Sequence, residues 1–226
     1  MLLFGCSEPE KNITQFLIKT EVITISSMDF SEELDLKRAA YPYDIKENQE
    51  EYNEMVISLV KILSEEIVLL TAAVAKNITI TEQEALAAEK EFKKDYPEDS
   101  FEQILLENAI SYPLWKKRFK KNMIMEKLID LELTQKIEIS PGDIVDFYNS
   151  HNAATIHDSK NQPAILNKIE NEKELVTRLR MQKTQDNYNK WIQELYKVYP
   201  VEINKDKLKI FLIDIKGNKE EKNDKK

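Results

Sequence analysis

Between Tyr52 and Val74 an apolar residue stands at every third or fourth position: Tyr52, Met55, Val56, Leu59, Ile62, Leu63, Ile67, Leu70 and Val74. That spacing is the repeat of an α-helix, and it draws one apolar stripe along a helix from about Lys46 to Lys76. Ile57, Val60, Val68 and Leu69 widen the stripe, so the helix is expected to lie between other helices. Asn77 is a suitable left-handed stop. A chain built around such a helix is expected to be mainly α. Its glycine usage agrees, because Gly5, Gly142 and Gly217 are the only three, whereas sheet-rich folds spend glycine on turns and bulges.

The same scarcity excludes whole classes of chemistry. Glycines so far apart can form neither a phosphate-binding loop nor a dinucleotide fingerprint. The single cysteine, Cys6, permits no internal disulfide and no cysteine-based zinc cluster. His151 and His157, the only histidines, offer a poor start for metal or triad chemistry, and no catalytic constellation, metal site or cofactor site is expected. The net charge of −8 argues against a general nucleic-acid partner. No stretch reaches the roughly 18–20 apolar residues of a membrane span.

Residues 13–25 are β-branched and alternating, as in one or two short strands. Ser27 is placed to cap a short helix to about Ala40, ended by Tyr41-Pro42-Tyr43. Thr81 and Glu84 make a capping box for a helix ending near Tyr96-Pro97. A short helix from about Ser100 to Asn108 precedes a long one from Tyr112 to Lys136. Ser140-Pro141-Gly142-Asp143 repeats the grammar of the earlier cap, with proline at the first helical position. That helix is expected to fade at 149–152, and 153–168 reads as a connector. A last long helix runs from about Ile169 to Tyr199, with a polar middle at 180–187 that suits a bridge between packed regions. Residues 201–203 and 207–215 look like strands, and 216–226 is a charged tail expected to be disordered.

At the start, Leu3-Phe4-Gly5-Cys6 turns abruptly into Ser7-Glu8-Pro9. This resembles the lipobox of a bacterial lipoprotein, in which the cysteine is lipidated and becomes the mature N-terminus. Residues 1–12 are therefore expected to be a truncated signal and linker. Five residues hold neither a basic nor a full apolar signal region, which implies a start upstream of Met1 or a trimmed chain. A lipid on Cys6 would anchor the protein to a membrane surface rather than across it.

The order of parts carries a further resemblance. A strand, Ile25-Ser26 with Asp29-Phe30, a long buried helix and Ile78 to Glu84 come first. Phe101 and Leu105, a Trp/Lys-rich helix, Ile137 to Tyr148, and finally Tyr188, Trp191, Ile192 and Leu195 before Val201-Glu202-Ile203 follow. This resembles the N-terminal chaperone module of SurA-type periplasmic folding factors, relatives of PrsA and in part of trigger factor. The match divides the chain into an N-terminal helical module at 13–152, a connector at 153–168, and a C-terminal helix and strands at 169–215 that complete the module. It implies a mainly α fold with a small sheet formed by N- and C-terminal strands. Two departures stand out. Thr20-Glu21-Val22 replaces the usual Asn-Gly turn, and about 16 glycine-free residues occupy the place of a parvulin prolyl-isomerase domain, which is several times longer. His157 falls where a parvulin's first histidine begins, but without the surrounding sheet it reads as a loop residue.

The resemblance implies an extracytoplasmic, ATP-independent, non-enzymatic chaperone. Its partners would be unfolded or partly folded client polypeptides and, through Cys6, the membrane surface on the periplasmic face. The alternative is an assembly lipoprotein that uses the same scaffold for one dedicated partner. Candidate client-binding residues are Tyr112, Trp115, Phe119, Met123 and Met125 on the long helix, with Tyr188, Trp191 and Tyr196 on the last. Aromatic rings offer area at low entropic cost, and methionine adapts to varied partners. At helical spacing the simpler reading of each is a core residue. Likewise, Trp115-Lys-Lys-Arg-Phe-Lys-Lys121 has the interleaving of a single-strand binder, but a solvated basic face with Trp115 and Phe119 turned inward explains it more simply.

Overall fold

The computed structural model of the chain describes residues 16–97, 100–156 and 172–214, without the side chains of 148, 151–156 and 172–173. Among these the fold is mostly helical, with one three-stranded antiparallel sheet in the order β2-β1-β3. Residues 16–72 with 196–214 form one compact unit, and the described residues of 73–195 form a second.

In the first unit β1 (Phe16–Lys19) pairs with β2 (Thr24–Ser26) on one side and β3 (Glu202–Ile203) on the other. The register slips between Phe16 and Ile18. A bulge adds a residue to one strand, so Leu17 and Ile18, adjacent in sequence, are both fully buried. The hairpin turn needs no glycine. Thr20 N–H donates to the Ile23 carbonyl at 2.8 Å, and Ile23 N–H donates to the Thr20 hydroxyl at 3.1 Å. That hydroxyl also lies 2.7 Å from the hydroxyl of Thr71, buried on α2 (Gln49–Ala75).

α1 (Ser27–Arg38) is capped by Ser26, one residue earlier than its sequence suggests, because Asp29 closes the box back onto Ser26. Phe30 and Leu34 turn inward from it and join Leu17, Ile18, Tyr52, Met55, Val56, Leu59 and Leu63 in one core. On α2 the stripe is buried except at three expected positions. Ile57 lies off the buried arc, Ile62 on its edge and Val74 in the last turn, exposed by 37%, 52% and 53%. Just beyond the end of α2, Asn77 takes up the left-handed stop with a φ of 56°.

The stretch 207–215 corrects its strand reading. It begins as a short helix, α8 (Lys205–Lys209), followed by turns, and residue 215 lies outside the described residues. Asn204 accepts from Lys207 N–H as the cap. The apolar residues Leu208, Phe211 and Leu212 recur at helical rather than alternating spacing, and they pack with Ile213 on the core. Asn53 fixes the end of this segment by donating to the Ile213 carbonyl at 2.8 Å and accepting from its N–H at 2.9 Å.

The second unit contains α3 (Glu82–Lys93), α4 (Ser100–Glu107), α5 (Tyr112–Glu132), α6 (Pro141–Ile156) and most of α7 (Glu172–Val198). α5 stops at Glu132, and Thr134–Lys136 tightens into a 3-10 turn. α6 runs past the expected fade at 149–152 to Ile156, and the Ser150 hydroxyl donates back to the Phe147 carbonyl at 2.9 Å within it. Residues 153–156 are thus helical. The rest of the expected connector, His157, the signal and linker with Cys6, and the tail at 216–226 lie outside the described residues.

The caps expected at Thr81 and Ser140 form, and each is held by a lysine from a distant helix. Glu84 accepts from Thr81 N–H at 2.7 Å and from Lys127 at 2.8 Å, and Lys127 also donates to the Thr79 carbonyl at 3.0 Å. Asp143 accepts from Ser140 N–H at 2.8 Å and pairs with Lys183 at 2.6 Å, and Lys183 donates to the Glu138 carbonyl at 3.3 Å. In both clasps the carbonyl lies two residues before the cap. The lysine in each case holds its carboxyl down at about 2, with help from the cap N–H and hydroxyl.

Candidate functional site

Three of the eight predicted site residues meet on α5. Ser111 caps this helix, and Pro113 sits within its first turn, so Tyr112, Trp115 and Phe119 follow one another up one face. Trp115 stacks on Phe119 with ring centroids 4.9 Å apart and on Tyr112 at 5.9 Å. α4 supplies buried Phe101, edge-on to Trp115 at 4.8 Å. α3 supplies Phe92, 5.7 Å from Trp115 and 5.6 Å from Phe119, and Tyr96 follows just after it, 5.4 Å from Phe92. The α4–α5 link reverses sharply at Ala109, whose φ of 53° occupies a region that disfavours a Cβ. Ile110 N–H donates to the Leu105 carbonyl at 2.8 Å and holds that reversal.

These rings are partly packed and partly wet. Phe101 is buried, Trp115, Phe119 and Tyr96 are half-buried, and Phe92 and Tyr112 are exposed by 37% and 38%. A polar network sits at one edge. Buried Glu89 accepts the Tyr112 hydroxyl at 2.6 Å and pairs with Lys93 at 3.0 Å. Lys93 also pairs with Glu102 at 3.1 Å and lies over the rings of Phe101 and Tyr112, at 4.7 and 5.0 Å. Burial pushes the Glu89 carboxyl up, but the Tyr112 hydroxyl and Lys93 outweigh it, and the group stays below its ordinary value. Among the described residues its second oxygen is buried without a hydrogen-bond partner. The same bond from Tyr112, with burial behind it, raises the tyrosine's pKa.

The two methionines part company. At about 100° per residue Met123 continues the stripe of Phe119 one turn on, while Met125 lies roughly 200° further round, beyond that face. Both are half-buried. On α7 Tyr188 and Trp191 stand together, ring centroids 5.8 Å apart and both half-buried. Trp191 lines an open concavity of about 270 Å³ with Leu133, Lys136, Ile137, Asn187, Lys190 and Glu194. Tyr196 belongs to the first unit, half-buried, with a pKa raised by burial and then by Glu65.

Sequence reasoning missed Phe92, Tyr96, Phe101 and Glu89 as members of this surface. Phe92 and Tyr96 stand four apart, a same-face spacing visible in the sequence. Their part in the surface comes from α3 and α4 folding against α5, which spacing within one helix does not announce. The arrangement offers area and shape rather than a reacting group. Among the described residues no set of three or more His, Cys, Asp or Glu is placed to hold a metal ion, and no helix is long and apolar enough to cross a membrane. No protein-family model matches the chain, and no curated protein matches it by sequence.

Proposed function

We propose that the chain is an ATP-independent holding chaperone of the SurA type, without prolyl-isomerase activity, tethered outside the cytoplasm by a lipid on Cys6. The observation that carries this reading is the half-exposed surface of Phe92, Tyr112, Trp115, Phe119 and Met123 in the second unit. A client covering a few hundred Å² of apolar surface would gain on the order of 5–10 kcal/mol gross. The cost of ordering two partners offsets much of that. The net is weak, reversible binding, which suits a protein that must release its clients.

The test is dilution of a chemically unfolded outer-membrane protein into buffer with and without this protein. Aggregation is expected to slow with wild type, and the effect to fall several-fold when Trp115 and Phe119 are both alanine. No slowing by a correctly folded wild-type protein would end the reading. A second reading, a subunit dedicated to one folded partner, draws support from the mutual ring packing, which fixes the surface in shape beforehand. A pull-down from envelope extract separates the two: one stoichiometric folded partner favours the subunit, and many substoichiometric unfolded ones favour the chaperone.

A further inference from the structure

The concavity beside Trp191 has a chemistry distinct from that of the aromatic surface on α5. Its apolar lining is buried Leu133 with half-buried Ile137 and Trp191. Its rim is cationic on two sides. Lys190 makes no ion pair among the described residues. Lys136 shares Glu132 with Lys76, at 2.7 and 2.9 Å, so one carboxylate is divided between two ammonium groups. Glu194, the one acid in the lining, is engaged by another group and pairs with neither rim lysine. The Asn187 amide is turned to its own helix, donating to the Lys183 carbonyl at 2.8 Å, which leaves its oxygen as the acceptor on the rim.

We propose that this concavity binds the C-terminal residue of a polypeptide: a large apolar side chain against Trp191, with the free α-carboxylate between Lys190 and Lys136. Volume favours one residue over a longer segment. About 270 Å³ falls just under the range of whole small-molecule pockets and suits a single bulky side chain. Charge favours a chain end over an internal residue, since at the end a single residue supplies both the bulky apolar side chain and a carboxylate for Lys190, and the Asn187 oxygen can accept its last N–H. Capture of a chain terminus is an established way of recognising peptides. This inference does not rest on the holding function, because it is read from the lining of this concavity alone.

The experiment uses the full chain and a short neutral peptide ending in phenylalanine, prepared both as the free acid and as the C-terminal amide. The indole N–H signals of Trp115 and Trp191, assigned with Trp191→Phe, report where the peptide sits. The free acid is expected to shift Trp191, to leave Trp115 in place, and to bind about fivefold tighter than the amide, as exposed ion pairs allow. Lys190→Gln, a surface change that leaves the fold intact, should bring the acid down to the affinity of the amide. Equal affinity of acid and amide, a shift at Trp115 instead, or no shift at all would overturn the proposal. Acid selectivity at Trp191 without suppression of aggregation would keep this inference and remove the holding function.

Discussion

Phe30 in the first unit touches the ring of Phe211 at 4.9 Å and is fully buried. Trp115 in the second touches Phe92, Phe101, Tyr112 and Phe119 and remains half-exposed. Ring packing and removal from water are therefore separate properties here. α2 carries a long series of buried residues, from Tyr52 to Ala73, whereas α5, 21 residues long, buries only Leu128. The first unit uses its apolar area on its own stability. The second keeps part of that area at the boundary with water, which is the condition for lending it to another molecule.

The sharpest test of this difference is a pair of truncations followed by chemical denaturation. Phe30→Ala removes a fully buried ring and should cost about 3–5 kcal/mol. Trp115→Ala removes a larger ring that is half in water already, and should cost about 1.5–2.5 kcal/mol despite its many neighbours. Equal losses would break the distinction between the two regions.

Acid should weaken the second unit through its clasps. Glu84 and Asp143 are carried from ordinary values of 4.5 and 3.8 to about 2. A depressed carboxylate contributes stability that is fully present above its unfolded pKa and is lost as pH falls through the folded one. Stability should therefore decline between about pH 4.5 and 2, and Glu84→Gln with Asp143→Asn should flatten that part of the profile. Titration of the two carboxyls by NMR checks the window directly. The smallest expected effect belongs to Ile62→Ser, at an edge of the α2 stripe that is 52% exposed. It should change stability by no more than about 0.5 kcal/mol, and a core-sized loss would show that the stripe is buried after all.

These contrasts also explain what was legible in the sequence. Caps such as Thr81 with Glu84 are read from four adjacent residues, and so are stops such as Asn77, because the physics that forms them is local. The α2 stripe was legible as a helix, but its outer edges at Ile57 and Ile62 were not, since periodicity gives a face and not its width. Residues 207–215 were misread because a short apolar run does not by itself separate strand from helix. The cap at Asn204 and the docking of Phe211 against Phe30 decide it. For the candidate site, the face of Tyr112, Trp115 and Phe119 was visible. Its partners on α3 and α4 depend on the reversal at Ala109, an alanine doing what glycine usually does, which no local rule announces.

The lysine clasps have a kinetic consequence as well. Lys127 reaches back 43 residues to Glu84 and 48 to Thr79, and Lys183 reaches back 45 to Glu138. The caps they lock can form within a single helical turn, on the timescale of helix growth. The clasps can form only once loops of that length have closed, so they are expected on the late, native side of the folding barrier. Interactions made there leave the folding rate nearly unchanged and set how slowly the folded state comes apart. Removing Lys127 or Lys183 is thus expected to speed unfolding of the second unit while leaving its folding rate nearly unchanged, which stopped-flow folding and unfolding rates check.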